Sequence, residues 1–351
     1  MESYTAGEKD WIDTPVEGMK EISHVNSERY LGQIISSDSK NTANITKLRN
    51  KGIGLKNKVI EMLNTMPGGI YHFEISVIFR NAYIISSMLS NSEVWYGITK
   101  AEIRLLEQVD EQFTRELFEC SSHVATELLY LDLGLTPISF IIKSRKLMFL
   151  HHILHQDSES LLYRFFSAQL SNPTKGDWVS EILEVMEEME LDMELEDIGH
   201  ISKRIFKSIV KGKVKYKAFQ YLMDKREDRI SINSKGKNLK YSELSMAPYL
   251  CASEVKISID EKKWLYKCRI EDIDIETNRR WNNGDLYCNN CANTEMNQRH
   301  LLECQFLSGK SEIIRSIPDY NDLFKKEIEQ QIYISRLLKE NHKRMLAQTT
   351  T

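Results

Sequence analysis

Apolar residues recur at helical spacing over most of the chain, so the sequence predicts a mainly α fold. After Asp38, a plausible helix N-cap, apolar positions three and four residues apart continue to Leu63, and Met66-Pro67-Gly68-Gly69 ends the pattern. The next run, Phe73 to Leu89, is apolar on nearly every side. This composition is typical of a helix buried at the centre of a core.

Capping signals predict where several later helices begin. Thr99-Lys100-Ala101-Glu102 has the form of a capping box, in which Thr99 and Glu102 satisfy each other's backbone N–H groups. Ser122 is predicted to cap a short helix that Gly134 ends. Further apolar periodicity predicts helices over Ile138 to His155, Ser160 to Leu170 and Trp178 to Met189.

The first 37 residues have a different pattern. Met19 to Ile22 and Tyr30 to Ile35 are short β-prone runs, and residues 24–27 between them have turn chemistry. The sequence therefore predicts a small N-terminal β hairpin ahead of the helices.

The charge is distributed unevenly along the 351 residues. The net charge is −4, but residues 1–200 carry −13, residues 201–270 carry +11 and residues 271–351 carry −2. Nine carboxylates lie between Glu181 and Asp197, and seven basic residues lie between Lys203 and Lys217. The basic segment is either a surface that faces a polyanion or a lysine-rich solvated helix.

Four potential metal ligands lie close together near the C-terminus, as Cys288-x2-Cys291-x8-His300-x3-Cys304. A C-x2-C turn brings two thiolates to one ion, and the x3 spacing places His300 and Cys304 on one face of a helix. Four soft ligands complete a tetrahedron, so we expect one structural Zn²⁺ with no open position. The alternative is three unrelated cysteines and a surface histidine.

Basic residues near aromatic residues are candidates for contacts with nucleic acid, since lysine and arginine bind phosphates and aromatic rings stack on bases. Three groups qualify, and each has the alternative of a solvated helix face. They are Lys47, Arg49, Lys51, Lys56 and Lys58, then Lys143, Arg145 and Lys146, and finally Lys213, Lys215 and Lys217.

Common catalytic motifs are absent from the sequence, which contains no GxxxxGK[ST], GxSxG, HExxH or GxGxxG. Tyr130-Leu131-Asp132 is followed by Leu133, so the second carboxylate of a two-metal Y-x-D-D site is missing. No apolar run is long enough for a membrane span, and Met1 to Asp13 lacks the features of a signal peptide. We therefore expect an intracellular protein, nuclear or cytoplasmic.

Three segments together resemble the post-catalytic part of reverse transcriptases of non-LTR (LINE-type) retrotransposons. They are Tyr30-Leu31-Gly32-Gln33-Ile34-Ile35-Ser36-Ser37-Asp38, Asn91-Ser92-Glu93-Val94-Trp95-Tyr96-Gly97-Ile98-Thr99 and Leu131-Asp132-Leu133-Gly134 with Pro137 to Arg145. In that family a Tyr-Leu-Gly strand lies at the primer grip, a helical thumb follows, and a CCHC zinc knuckle comes later.

The resemblance implies a role for each region. Tyr30, Leu31 and Gly32 would be primer-grip-like, and the knuckle would be Cys288, Cys291, His300 and Cys304. The expected regions are palm-remnant strands (1–37), a helical thumb-like domain (38–172), an acidic then basic helical region (173–270), the zinc knuckle (271–310) and a C-terminal helix (311–351).

The resemblance also implies a partner, namely RNA or a primer–template duplex, with a separate or upstream polymerase module. The palm carboxylates of the family precede the Tyr-Leu-Gly strand, so we expect no polymerase activity from this chain alone. Two alternatives stay open at this point. One is a zinc-stabilised protein-interaction module in which the acidic segment pairs with the basic one, and the other is a decayed retroelement remnant without activity.

Overall fold

The computed structural model describes residues 27–30, 33–36, 41–66, 69–122, 124–230, 239–273, 287–288, 291, 294–295, 297–304 and 327–349. Within these ranges the chain is mainly α-helical, which confirms the fold class that the apolar periodicity predicts. The chain divides into two compact units, residues 1–44 and residues 45–351. The five regions predicted from the sequence stay a prediction.

The helices vary in length from short turns to more than twenty residues. In chain order they are α1 (Thr42–Thr65), α2 (His72–Phe79), α3 (Ser86–Met88), α4 (Lys100–Phe118), α5 (Thr126–Leu133), α6 (Ile138–Leu154), α7 (Leu161–Ser171), α8 (Trp178–Glu188), α9 (Leu195–His200), α10 (Lys203–Ile230), α11 (Ile259–Arg269), α12 (Gln298–Glu303) and α13 (Ile328–Thr349). Across the described residues, none of them has the length and hydropathy that a bilayer span requires.

The first unit contains two short strands, β1 (Ser27–Tyr30) and β2 (Gln33–Ser36), which pair antiparallel. This is not the hairpin that the sequence predicts. The predicted first strand, 19–22, lies outside the described residues, and the predicted second strand, 30–35, is divided between β1 and β2. The predicted hairpin is therefore not supported, because a β-prone run of this length can pair within itself as well as with a neighbour.

The centre of the second unit is α6, which contacts α4, α7, α8, α9 and α10. Its buried side chains point to several sides, and they include Phe140, Leu147 and Leu150. Burial on several sides of the helix fits such a central position. The sequence predicts that Phe73 to Leu89 forms the buried central helix. In the structure α6 occupies the central position instead.

The run from Phe73 to Leu89 is a helix with an irregularity. Between α2 and α3, residues Arg80–Ile85 form a π-helical turn. Arg80 begins this turn and is only 2% exposed. Its Nε donates to Oδ1 of Asp110 over 2.6 Å and its Nη2 donates to Oδ2 over 2.5 Å. The hydroxyl of Tyr130 also donates to Asp110, so a buried ion pair joins the π turn, α4 and α5.

A second buried carboxylate, Asp132, joins α5 to the segment before α11. Tyr241 and Tyr249 donate their hydroxyl protons to its two oxygens over 2.7 and 2.6 Å. Gly134 ends α5 with a φ of +65°, and a Cβ at that position would lie 2.5 Å from the backbone N of Met246. The backbone approaches so closely there that only glycine fits.

Helix starts follow the predicted capping rules in some places and not in others. Thr99 and Glu102 form the predicted capping box, and a second box pairs Ser258 with Glu261 at the start of α11. The prediction that Ser122 caps α5 is wrong. The N-cap of α5 is Ala125, and just before it the N–H of Val124 donates to the Ser121 carbonyl.

Candidate metal centre and basic surface

The Cys288 segment folds back on itself through backbone hydrogen bonds. The N–H of Cys288 donates to the Thr294 carbonyl over 2.8 Å, and the N–H of Thr294 donates to the Cys291 carbonyl over 2.9 Å. Tyr287 and Glu295 form an antiparallel bridge just outside this turn. The two thiols of the C-x2-C motif therefore face the same side of a tight turn.

The other two ligands come from α12. Asn297 caps this helix by accepting a hydrogen bond from the N–H of His300 over 2.8 Å. His300 lies in the helix and Cys304 directly follows it, one turn later, so both side chains reach the same face. The sequence predicted this helix from residues 299–304.

The four candidate ligand atoms form one cluster, in which all lie within 4.8 Å of one another. Sγ of Cys304 lies 4.0 Å from Sγ of Cys288 and 3.7 Å from Sγ of Cys291. A tetrahedral site with Zn–S bonds of about 2.3 Å has edges of about 3.8 Å. The thiols thus already have the spacing of metal ligands, and a metal can bind with little movement of the backbone.

His300 provides the strongest sign that the cluster holds an ion. Its Nε2 is buried and has no hydrogen-bond partner among the residues that the structure describes. A buried polar atom without a partner is costly, and a metal ion would satisfy it. Burial also lowers the pKa of His300, which favours the neutral imidazole that binds metals.

Without a bound cation the thiol of Cys291 stays protonated. Burial, a hydrogen bond with Cys304 and the other thiols raise the pKa of Cys291 to about 11. A divalent cation at the centre would reverse this effect and hold the thiols as thiolates. The donor set of three sulfurs and one imidazole nitrogen fits Zn²⁺ better than the hard cations Mg²⁺ and Ca²⁺.

The cluster is tied to the helical core through α12. The side chain of Gln298 donates to the carbonyl of Cys268 in α11, and that of Asn341 in α13 donates to the carbonyl of Leu301. Leu301 and Leu302 are buried as well. A metal at this position would therefore fix how the C-terminal helices pack.

The predicted nucleic-acid contacts of α1 occupy different environments. Lys51 and Lys58 are exposed, whereas Lys47 and Arg49 are half-buried. Lys56 is 5% exposed and forms an ion pair with Glu116 of α4, so it lies inside the fold. Tyr30 of the primer-grip-like motif ends β1, and Leu31 and Gly32 lie outside the described residues.

The predicted nucleic-acid contacts of α6 mostly bind other residues of this chain. Lys143 pairs with Glu188 and Lys146 pairs with Glu181, both from α8. Arg145 donates to the Leu89 carbonyl at the end of α3. These cations attach neighbouring segments to α6, and their charge is partly neutralised there.

The predicted contacts of α10 are partly paired too. Lys217 forms an ion pair with Glu190, and Lys215 lies 3.5 Å from Glu243. Lys213 is half-buried and, within the described part of the chain, forms no ion pair. Four basic residues earlier in the same helix are exposed and were missing from the predicted site, namely Lys203, Arg204, Lys207 and Lys211.

The acidic and basic segments meet mainly through α6. Both α8 and α10 pack against α6, and α8 inserts Ile182 and Val185 into the shared core. The Lys217–Glu190 pair joins the two segments directly. The acidic segment therefore neutralises one end of the basic helix and leaves the other end exposed.

No protein-family model, curated protein or solved structure matches the chain. The resemblance to retrotransposon reverse transcriptases thus stays a prediction from the segments quoted above. What the structure adds independently is the helical fold and a cluster of three cysteines and a histidine with the geometry of a metal site.

Proposed function

We propose that this chain binds nucleic acid through the first half of α10, as the segment that follows the polymerase domain in a LINE-type reverse transcriptase, with a structural Zn²⁺ at the Cys288 cluster. The observation that carries the proposal is a row of lysines along α10. Lys203, Lys207, Lys211 and Lys215 follow one another at intervals of four residues. They lie on one face of the helix, about 6 Å apart along its axis.

A neighbouring face of α10, about 90° around the helix axis from the lysines, is as regular. Phe206, Val210, Val214, Ala218 and Leu222 are all buried, also at intervals of four residues. This row fixes the helix against α5 and α6. Lys203, Lys207 and Lys211 are consequently exposed on a helix of fixed orientation, whereas Lys215 is half-buried. The helix cannot turn the three exposed lysines inward without exposing its apolar row.

Such a row of like charges is unfavourable without a partner. Each pair of like charges four residues apart destabilises a helix by about 0.2–0.5 kcal/mol. From Lys203 to Met223 α10 contains no acidic residue that would offset this repulsion. A phosphate backbone removes the repulsion and releases counterions, which supplies affinity without base specificity. The exposed Tyr216 adds a ring for stacking on an unpaired base.

The proposed role of the metal is structural. All four ligand positions are protein side chains, which leaves no open position for a substrate or an activated water. In this proposal the centre holds α12 against α11 and α13, and the basic helix makes the contacts with nucleic acid. The chain itself performs no polymerase chemistry.

A salt titration tests the proposal. Binding of the wild-type chain to a labelled single-stranded RNA and to a primer–template duplex is measured by fluorescence anisotropy at increasing KCl. The variant Lys203→Gln/Lys207→Gln/Lys211→Gln should lose affinity, and its slope of log K against log salt should be shallower by about two to three, since each lost phosphate contact removes about 0.7–0.9.

The matched control is Lys100→Gln/Lys175→Gln/Lys256→Gln, which removes three exposed lysines from other helices and loops. This control has the same net charge as the test variant and should keep the wild-type slope. Equal losses in the two variants would mean that net charge alone governs binding. Absence of salt-dependent binding by the wild-type chain would overturn the proposal and favour the alternative in which the acidic segment neutralises the basic one.

A further inference from the structure

The face of α10 that points away from the core carries an aromatic ring. Tyr216 lies two residues after the buried Val214 and two before the buried Ala218. At 100° per residue its side chain leaves the helix about 160° around the axis from each of them. The side chain is 53% exposed. Because the buried row fixes the orientation of α10, this ring is held in solvent.

The ring of Tyr216 is held at its edge and not on its faces. The side-chain amide of Gln220, one turn later, donates to the Tyr216 hydroxyl over 2.7 Å. In the described part of the chain no other ring stacks on Tyr216 and no cation lies over it. A ring with a fixed direction and unoccupied faces loses little conformational freedom when a ligand stacks on it.

The surface beside the ring is open. Gly212 lies one turn before Tyr216 on the same side of α10 and is exposed. A Cβ at this position would meet no atom within 4 Å, and the Tyr216 ring is therefore also farther away than that. Positions four apart are about 6 Å from each other, whereas stacked bases are about 3.4 Å apart. The gap over Gly212 thus admits the thickness of one base next to the ring.

A second exposed glycine shows that the gap alone is not a distinguishing feature. Gly54 in α1 is as open, with no atom within 4 Å of a Cβ. The residue one turn later is Lys58, however, so no ring lies beside that glycine. The combination of an open position with an exposed aromatic ring is what α10 provides.

Cations flank the gap. Lys211 directly precedes Gly212 and Lys213 directly follows it, while Lys215 precedes Tyr216. Lys211 is exposed, and Lys213 and Lys215 are half-buried. A base that lies on the ring is attached to phosphates, and lysines on both sides of the gap can neutralise them. Aromatic rings within a basic surface are typical of proteins that bind single strands.

We infer that α10 selects unpaired strands of nucleic acid, with one base lying over Gly212 and stacking on Tyr216. Inside a duplex both faces of a base are covered by its neighbours, so the ring cannot reach them and only the lysines make contact. Stacking uses the π face that every base has, so the selection is for unpaired structure and not for sequence. This inference rests on the proposed function and adds the class of nucleic acid to it.

The test compares a labelled single-stranded RNA of about 12 nucleotides with a blunt RNA duplex of the same length, at one salt concentration and with the full chain. Tyr216→Leu should weaken binding of the single strand at least about fivefold, because stacking on the ring is lost, and should change duplex binding less than about twofold. Tyr216→Phe keeps the ring and should bind both RNAs as the wild-type chain does.

A spectroscopic readout reports on stacking itself. The single strand carries a fluorescent adenine analogue whose emission falls when it stacks. Saturating wild-type chain and Tyr216→Phe should quench this emission further than saturating Tyr216→Leu does. A purely structural role of Tyr216 would change the affinity without changing the emission of the bound strand.

Filling the gap is an independent test. Gly212→Leu should also weaken binding of the single strand at least about fivefold. Leucine favours a helix more than glycine does, so the Tm should not fall, and the loss of affinity would not come from unfolding. The matched controls are Gly54→Leu, at the equally open glycine, and Tyr71→Leu, at a tyrosine 56% exposed outside α10. Both should keep the wild-type affinities.

Two outcomes would overturn the inference. Wild-type affinity of Tyr216→Leu for the single strand would remove the ring from the interaction. Equal losses on the single strand and the duplex would mean that the ring supports the helix or the phosphate contacts instead of a base. Failure of the proposed function is distinguishable from both, because the wild-type chain would then bind neither RNA in a salt-dependent way.

Discussion

The helical region from 100 to 273 and the cysteine cluster from 287 to 304 are stabilised in different ways. In the first, two buried carboxylates, Asp110 and Asp132, each receive donors from segments distant in the chain within a continuous apolar core. In the second, three thiols and an imidazole converge, with Leu301 and Leu302 as the buried apolar residues of its short helix.

The two regions therefore obtain their stability from different sources. A core with buried side chains and paired carboxylates is stable through packing and hydrogen bonds. A short helix and a tight turn bury too little surface for that, so in the proposed function a bound metal would supply the missing free energy. The two regions should therefore respond differently to the same perturbation.

Metal removal should produce the largest difference between them. Zinc contributes about 10–16 kcal/mol of apparent binding free energy in small zinc-binding domains. In a chelator, we expect residues 287–304 to lose their protection from hydrogen exchange while residues 100–154 keep theirs. Cys291→Ser should have the same local effect and abolish the single bound zinc in elemental analysis.

The control is Cys251→Ala, a half-buried cysteine outside the cluster, which should keep one zinc per chain. If the chelated protein instead lost protection throughout α4 and α6, the two regions would form one cooperative unit. Unchanged protection in both regions would contradict the structural role of the metal.

Arg80→Leu should destabilise the helical region by about 3–5 kcal/mol, because it leaves the buried Asp110 without its cation. Arg336→Leu is the matched control. Its arginine is 57% exposed and pairs with Glu261, so its loss should cost less than about 1 kcal/mol. Urea unfolding of the metal-loaded proteins measures both free energies. Equal losses of unfolding free energy would show that burial does not increase the contribution of the Arg80–Asp110 pair to stability.

Tyr249→Phe should have a smaller effect, about 1–3 kcal/mol, because one oxygen of the buried Asp132 loses its donor. Tyr216→Phe removes a hydroxyl that is exposed on α10 and should change the free energy of unfolding very little. The comparison of thermal midpoints checks this. An unchanged midpoint in Tyr249→Phe would indicate that Tyr241 and Arg269 satisfy Asp132 without it.

Local signals allowed the sequence to predict much of the helical region and the whole metal cluster. The capping box at Thr99 and the C-x2-C turn depend on residues a few positions apart, so their geometry is set by the chain itself. The positions of His300 and Cys304 followed from helical spacing for the same reason.

Patterns over a few neighbouring residues could not predict contacts between residues that are far apart in the chain. Lys56 and Lys146 have the same local sequence character as an exposed lysine, and only the fold shows that carboxylates 60 and 35 residues away pair with them. Asp132 was considered only as an incomplete catalytic motif. Its two tyrosine partners lie 109 and 117 residues further along the chain.

The sequence analysis predicted only part of the lysine row of α10. The basic segment was recognised from its composition, but the selected residues were those nearest to aromatic residues. The interval of four residues, set against a buried apolar row with the same interval, was the signal that would have identified Lys203, Lys207 and Lys211.

The π turn at Arg80–Ile85 has a consequence for relatives of this chain. A π turn closes its hydrogen bonds over five residues, where an α turn closes them over four, so it accommodates one extra residue in an otherwise regular helix. Asn81, Ala82 and Tyr83 within it are all exposed. Homologous chains that are one residue shorter at this point would keep Phe73, Arg80 and Met88 in place, and an alignment should open its gap there.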